Sequence, residues 1–234
     1  MIRPLLAPLV LILTVAFALS PLASNGFNGF TPGQFPVVQD SWPVQPVGWA
    51  FSIWGVIYLW LAAGAVYGVM RARYDPRWQA MRAPLAASLL IGVFWITVAN
   101  LQPLAATVMI IFMAAGAIAA LLRAPDGIWA AGPVGLYAGW LTAATGVAIA
   151  VVLGGYGVLS AQAAALVLLA LILIVALAVQ WQRPNALSYA FGVGWALMGV
   201  IVANLSPANV PVVGLAGFGI FALVALVVWK RKVS

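Results

Sequence analysis

The most distinctive chemical groups in this sequence are aromatic side chains at helical spacing. Phe51, Trp54 and Tyr58 follow one another at intervals of three and four residues, and Tyr137 and Trp140 are three residues apart. Residues at these intervals share one face of a helix. Indole and phenol rings combine a large apolar surface with an N–H or O–H that can bond a few polar substituents. The pattern therefore predicts non-covalent binding of a flat, largely apolar molecule.

Other kinds of site chemistry are excluded because the residues they need are missing. The chain has no His, no Cys and no Glu, which rules out thiolate chemistry, zinc sites of the usual kinds and imidazole acid–base catalysis. Asp40, Asp75 and Asp126 all lie between apolar runs, whereas ion-coupled transporters generally keep charged residues at membrane depth. We therefore expect no catalytic residue, no metal ligand and no required cofactor. An oxidative enzyme that works through tryptophan radicals needs none of the missing groups and stays open as an alternative.

The elements that must position these rings are membrane-spanning helices. Of the 234 residues, 66% are hydrophobic and 6% are charged, which is far from the composition of a soluble domain. The sequence predicts an all-α, polytopic transmembrane helix bundle of about eight helices, with the lipid bilayer as its main partner. The predicted spans are residues 5–22, 47–70, 85–101, 104–122, 128–153, 160–181, 187–205 and 210–229.

The third and fourth runs are separated only by Gln102 and Pro103. As a single helix they would extend for roughly 57 Å, which is too long to cross a hydrocarbon core of about 30 Å once. We therefore predict a tight hairpin between two spans.

The basic residues define the predicted orientation. With a cytoplasmic N-terminus, all ten Lys and Arg residues fall on the cytoplasmic side at helix ends or in loops, and the opposite loops contain none. This distribution follows the positive-inside rule, so both termini are predicted to be cytoplasmic. Because these basic residues lie beside the membrane, the net charge of +7 does not indicate binding to nucleic acid, and no nucleic-acid partner is expected. The alternative for the first run is a cleaved secretory signal, since Arg3 precedes an apolar stretch that ends in small residues near Ala23.

Several aromatic residues are predicted to reach the same depth in the bilayer. At 1.5 Å per residue from the outer helix ends, Trp54 and Trp95 lie roughly 10 Å deep, and Tyr58, Trp140 and Trp195 lie roughly 15 to 20 Å deep. Converging helices would enclose these rings in a cavity under the loop 23–46, which is rich in Gly and Pro. The alternative is that the rings only pack helices against one another.

A short sequence occurs twice. Residues 98–103 (VANLQP) resemble residues 202–207 (VANLSP), and each copy follows a helix that carries Trp95 or Trp195. The copies are either an internal repeat or two local caps in which Asn satisfies backbone groups near a proline. Asn100 therefore joins the candidate site residues.

Residues 42–58 (WPVQPVGWAFSIWGVIY) resemble the signature of the TspO/MBR family of tryptophan-rich sensory proteins and translocator proteins. Residues 135–140 (GLYAGW) are similar to a Tyr-x-x-Trp pattern on the fifth helix of that family. The resemblance implies a five-helix unit at 1–153 and a three-helix C-terminal extension at 154–234. The ligand-binding candidates taken together are Trp49, Phe51, Trp54, Tyr58, Trp95, Asn100, Tyr137 and Trp140.

What the resemblance implies for function is binding of a porphyrin or haem-like tetrapyrrole by a sensory or regulatory protein. A bacterial inner membrane and a homodimer are further implications. Two alternatives stay open: a permease for an apolar solute, which the three added helices favour, and an enzyme that degrades tetrapyrroles.

Overall fold

The computed structural model of the protein describes residues 5–24 and 26–233. Within these residues the chain forms eight α-helices and a few short 3₁₀ turns, which confirms the all-α bundle. Seven stretches are long and apolar enough to cross a membrane, and α7, at 17 residues, is shorter. Arg3 lies outside the described residues, and the orientation of the termini stays a prediction. The helices are α1 Leu6–Leu19, α2 Ile53–Met70, α3 Pro76–Leu101, α4 Pro103–Arg123, α5 Ala131–Gly155, α6 Ala161–Gln182, α7 Leu187–Ala203 and α8 Val210–Val233.

Helix α5 is the centre of the bundle. It packs against α2, α4, α6 and α7, while α1 lies against α2 and α3, and α8 lies against α6 and α7. The predicted hairpin is confirmed, since α3 ends at Leu101 and α4 begins at Pro103. The indole of Trp95 bonds the two arms of this hairpin by donating to the carbonyl of Ala106 at 2.9 Å.

Helices α5 and α7 approach each other closely through glycine. A Cβ at Gly192 would lie 2.8 Å from the Leu136 carbonyl oxygen, and one at Gly139 would overlap the Tyr189 carbonyl. A side chain at either position would therefore push the two backbones apart. Gly135 and Gly139, four residues apart on α5, thus allow α5 and α7 to pack closely inside the bundle.

The third helix begins earlier than the apolar pattern predicted, at Pro76 and not at residue 85. Asp75 caps it by accepting a hydrogen bond from the backbone N–H of Arg77 at 2.9 Å, and proline at the first helical position favours the same start. Hydrogen bonding to the Arg77 guanidinium lowers the pKa of the Asp75 carboxyl below its ordinary value. The first turns of α3 are polar, so a hydropathy pattern alone places the helix start too late.

Arg82 corrects the expectation that every basic residue lies at a helix end or in a loop. It lies inside α3 and is only 2% exposed. Its guanidinium donates to the carbonyls of Gly68, Ala72 and Arg73 at 2.8 to 3.0 Å. These carbonyls lie at or just beyond the C-terminal end of α2, where the helix dipole favours a cation. The buried charge thus joins α2 to α3.

Candidate functional site

The long loop between α1 and α2 folds over one end of the bundle. Gly26 and Gly29 have φ values of +68° and +110°, a backbone conformation that favours glycine, and these two turns flank Phe27. Phe30 is 5% exposed, and its backbone N–H donates to the side-chain oxygen of Gln45 at 3.1 Å. The loop therefore carries aromatic side chains of its own onto the bundle.

A small cavity lies under this loop. Its free volume of about 30 Å³ has room for one or two water molecules. The walls come from the loop and from α2, α3, α4, α5 and α7, and they are almost entirely apolar. They are formed by Phe27, Gly29, Phe30, Gln45, Pro46, Phe51, Trp54, Trp95, Ile110, Trp140, Ala144, Val147, Ala148 and Ala196.

The aromatic rings around the cavity meet edge to face. The ring centroids of Trp54 and Trp140 are 6.1 Å apart at 81°, and those of Phe51 and Trp140 are 5.7 Å apart at 82°. Phe27 from the loop meets Trp95 at 4.9 Å and 76°. Edge-to-face contacts at these distances are favourable, so the wall is a connected aromatic cluster.

The indole N–H groups of the two buried tryptophans in this wall differ in their hydrogen bonding. Trp95 donates to the Ala106 carbonyl, whereas the N–H of Trp140, a residue that is 2% exposed, has no acceptor among residues 5–24 and 26–233. A buried donor without a partner costs free energy. Trp140, which lines the cavity, therefore carries a buried N–H that no described residue satisfies.

Two predicted site residues, Tyr58 and Tyr137, lie below the cavity. Phe17 of α1 fills the space between them, with ring centroids 5.1 Å from Tyr58 and 5.7 Å from Tyr137. The Tyr137 hydroxyl is 2.9 Å from the Ser88 hydroxyl, which in turn donates to the Met113 carbonyl. Since Ser88 has one proton to give, Tyr137 is the donor in the first bond. These residues form a packed floor.

The two asparagines of the repeated sequence tether opposite ends of the loop. The Asn100 side chain donates to the Gly26 carbonyl at 3.1 Å, and the Asn204 side chain donates to the Pro43 carbonyl at 2.7 Å. Both asparagines therefore hold the loop. This role goes beyond local capping, which was one of the two interpretations of the repeated sequence.

Trp49, at the end of the loop, points away from the cavity. Its ring lies 5.2 Å from that of Trp195 on α7, and the Trp195 N–H donates to the Ala50 carbonyl at 2.8 Å. The backbone N–H of Val47 also donates to the carbonyl of Gly199 on α7 at 3.1 Å. The segment after residue 153 thus takes part in building the site.

Of the eight candidate residues, four line the cavity, namely Phe51, Trp54, Trp95 and Trp140. Sequence reasoning missed the loop residues Phe27, Phe30 and Gln45, and Ala196 of α7. The available signal for the two phenylalanines was the pattern GFNGF at residues 26–30, in which glycines accompany paired aromatic residues. An alanine such as Ala196 gives no comparable signal.

Comparison with known proteins gives a family. Searches of the curated proteins and of the solved structures found no match. A family model described as TSPO-like protein matches residues 6–229, which extends well past residue 153. The aromatic signature, the helix bundle and this nearly full-length match agree, and the chain belongs to the TSPO-like protein family.

Proposed function

We propose that this integral membrane protein binds a flat, largely apolar ligand of the porphyrin type in the cavity under the loop, as a sensory or regulatory protein. The observation that carries the proposal is the N–H of Trp140, which is buried and finds no acceptor in the described part of the chain, on a residue that belongs to a wall of edge-to-face aromatic rings. Porphyrins combine a flat ring, which stacks on indole, with nitrogen and carboxylate acceptors. One acceptor on such a ligand would satisfy the donor that the protein leaves unpaired.

Binding requires the loop to move. Pockets for drug-sized molecules are roughly 300–1,000 Å³, whereas this cavity has a free volume of about 30 Å³. The end of the loop near Pro43 is fixed by the bonds from Asn204 and to Gly199, and Trp42 there is buried. The end near Gly26 is held by an exposed bond from Asn100. We therefore expect the segment from Gly26 to Gly29, which precedes the bond from Phe30 to Gln45, to lift and Phe27 to leave Trp95.

The test is titration of the detergent-purified protein with protoporphyrin IX, followed by tryptophan quenching and by the porphyrin absorbance band. The double variant Trp54→Ala, Trp140→Ala removes two stacking surfaces and should weaken binding by about tenfold or more.

The matched control is Trp181→Ala, Trp229→Ala, which also removes two indoles but from a half-exposed surface pair. It should lower the total fluorescence without changing the dissociation constant. If the cavity variant binds with the affinity of the wild type, the proposed site is wrong.

A second candidate function, permeation of an apolar solute, is favoured by a second cavity. This cavity of about 20 Å³ lies between α1, α2, α3 and α5, and Thr14 and Arg82 are among its lining residues. Phe17, one helical turn from Thr14, packs with Tyr58 and Tyr137 between the two cavities. Flux of porphyrin across proteoliposomes would distinguish the candidates, because a protein that only binds should show none.

A further inference from the structure

An apolar groove opens on the surface of the bundle between α7 and α8. Its volume is about 440 Å³, far larger than the volumes of the two cavities inside the bundle. At its floor, a Cβ added to Gly194 would meet no atom within 4 Å. Phe191 and Val224 on its rims are 58% and 57% exposed, so the groove faces the surroundings. It is lined by Leu187, Ala190, Phe191, Gly194, Trp195, Met198, Ile220, Leu223, Val224, Val227 and Val228.

The length of the groove matches one leaflet of a bilayer. On α7 it extends from Leu187, the first residue of the helix, to Met198. This distance is roughly 16 Å along the axis, about half of a hydrocarbon core of 30 Å. The groove therefore reaches from one membrane boundary to the middle of the bilayer.

Basic residues stand at the boundary end of the groove. The last turn of α8 contains Lys230, Arg231 and Lys232. Arg231 follows Val228 by three residues and Val224 by seven, so it lies on the helix face that lines the groove. The side chain of Lys230 is directed to α6, with its ammonium group 3.7 Å from the centre of the Trp181 ring.

We propose that this groove binds an acyl chain of an anionic phospholipid, with the lipid phosphate at Arg231 and Lys232. The chain covers the apolar wall over one leaflet, and the guanidinium and ammonium groups neutralise the headgroup. Trp181 and Trp229, whose rings are 5.3 Å apart and half exposed, mark the headgroup level beside the basic turn.

A second copy of the chain is a poorer occupant. A twofold dimer through this groove has its axis along the membrane normal, so both basic turns come to the same boundary. Arg231 and Lys232 of each copy would then lie close to those of the other near the interface, whereas an anionic lipid offers them opposite charge.

The experiment measures lipid retention by the full-length protein. Purified protein is stripped of lipid, incubated with vesicles of equal parts phosphatidylglycerol and phosphatidylcholine, re-extracted and analysed by native mass spectrometry. The wild type should retain phosphatidylglycerol in preference to phosphatidylcholine. Arg231→Gln, Lys232→Gln should reduce that preference by about fivefold for each residue changed.

A control with the same loss of charge is Arg71→Gln, Arg123→Gln, at exposed helix ends away from the groove, and it should keep the preference. Gly194→Phe fills the groove floor and should reduce the retained lipid of either kind. Equal retention of both lipids by the wild type, equal effects of the two charge variants, or full retention in Gly194→Phe would each overturn the proposal. So would a lipid-free dimer that Gly194→Phe converts to a monomer.

Discussion

Trp95 and Trp140 line the same cavity but differ in the hydrogen bonding of their indole N–H groups. The N–H of Trp95, a residue of α3, donates to a carbonyl of α4, so the ring is held by both helices of the hairpin. The N–H of Trp140 is buried and has no acceptor among the described residues. The unpaired donor lowers the stability of the ligand-free protein, and a ligand that accepts this hydrogen bond removes that destabilisation.

The first prediction concerns Trp140→Phe, which keeps an aromatic ring and removes the N–H. The variant should bind protoporphyrin IX roughly three- to tenfold more weakly, because it loses one hydrogen bond to the ligand. Its thermal stability without ligand should be unchanged or higher, since no unpaired donor remains buried. Porphyrin absorbance and thermal unfolding measure the two effects.

The companion variant Trp95→Phe makes the same change at a bonded indole. It should lower stability by about 1 kcal/mol through the lost bond to Ala106, with a smaller effect on affinity. If Trp140→Phe proved less stable than Trp95→Phe, the unpaired donor would not be the relevant difference.

At the scale of helices, the contact between α5 and α7 connects the C-terminal helices to the site. Trp140 and Gly139 are neighbours on α5, and Gly192 of α7 packs within contact distance of the Trp140 backbone. Ala196, one turn further along α7, lines the cavity. The position of the Trp140 ring therefore depends on how closely α7 approaches.

The second prediction tests that approach with Gly192→Ala. The new Cβ would lie 2.8 Å from the Leu136 carbonyl oxygen and 2.9 Å from the Trp140 nitrogen, so the helices must separate at a cost of about 1–3 kcal/mol. We expect a lower unfolding temperature together with weaker ligand binding.

The control for this change is two residues away. Gly194→Ala introduces the same methyl group where no atom lies within 4 Å. It should be neutral or stabilising, by up to about 1 kcal/mol, because alanine favours helix more than glycine does. Equal destabilisation by both variants would indicate loss of helix flexibility and not a clash.

At the scale of the molecule, the basic residues that the structure describes lie at one end of the bundle and the long loop lies at the other. Arg82 and the turn between α2 and α3 are at the end opposite to the loop, and so is the ion pair of Arg183 with Asp126, at 2.6 Å. If all eight helices cross the membrane, the two ends of the chain lie on the same side. The 17 residues of α7 span about 26 Å and make it the shortest helix of α2 to α8.

The third prediction is a topology in which the turn at residues 71–75, between α2 and α3, and the C-terminal tail share the cytoplasmic side. In a bacterial host, green fluorescent protein fused at either of these two positions should fluoresce. Alkaline phosphatase fused in the loop near Asp40 should be active. A tail on the opposite side from the turn would mean that one of the helices between them, most simply α7, does not cross the membrane.

The sequence by itself determined the class of the protein and most of its helices. Hydrophobic runs, prolines and the segregation of basic residues are local patterns, and the bilayer imposes the same requirement on every span, so these patterns predict the bundle without knowledge of contacts. Helical spacing likewise selected Phe51, Trp54 and Trp140, which line the cavity, but it also selected Tyr58 and Tyr137, which do not.

Only the tertiary structure decided which residues meet. Helices in a membrane are apolar on all sides, so the sequence does not distinguish a lipid-facing ring from a cavity-facing one, and Trp49 and Trp54 look equivalent until their partners are known. The use of Asn100 and Asn204 as tethers of the loop depends on contacts between residues 74 and 161 positions apart, and the contribution of Ala196 to the cavity also depends on long-range contacts. Such contacts follow from side-chain packing between helices, which no local pattern records.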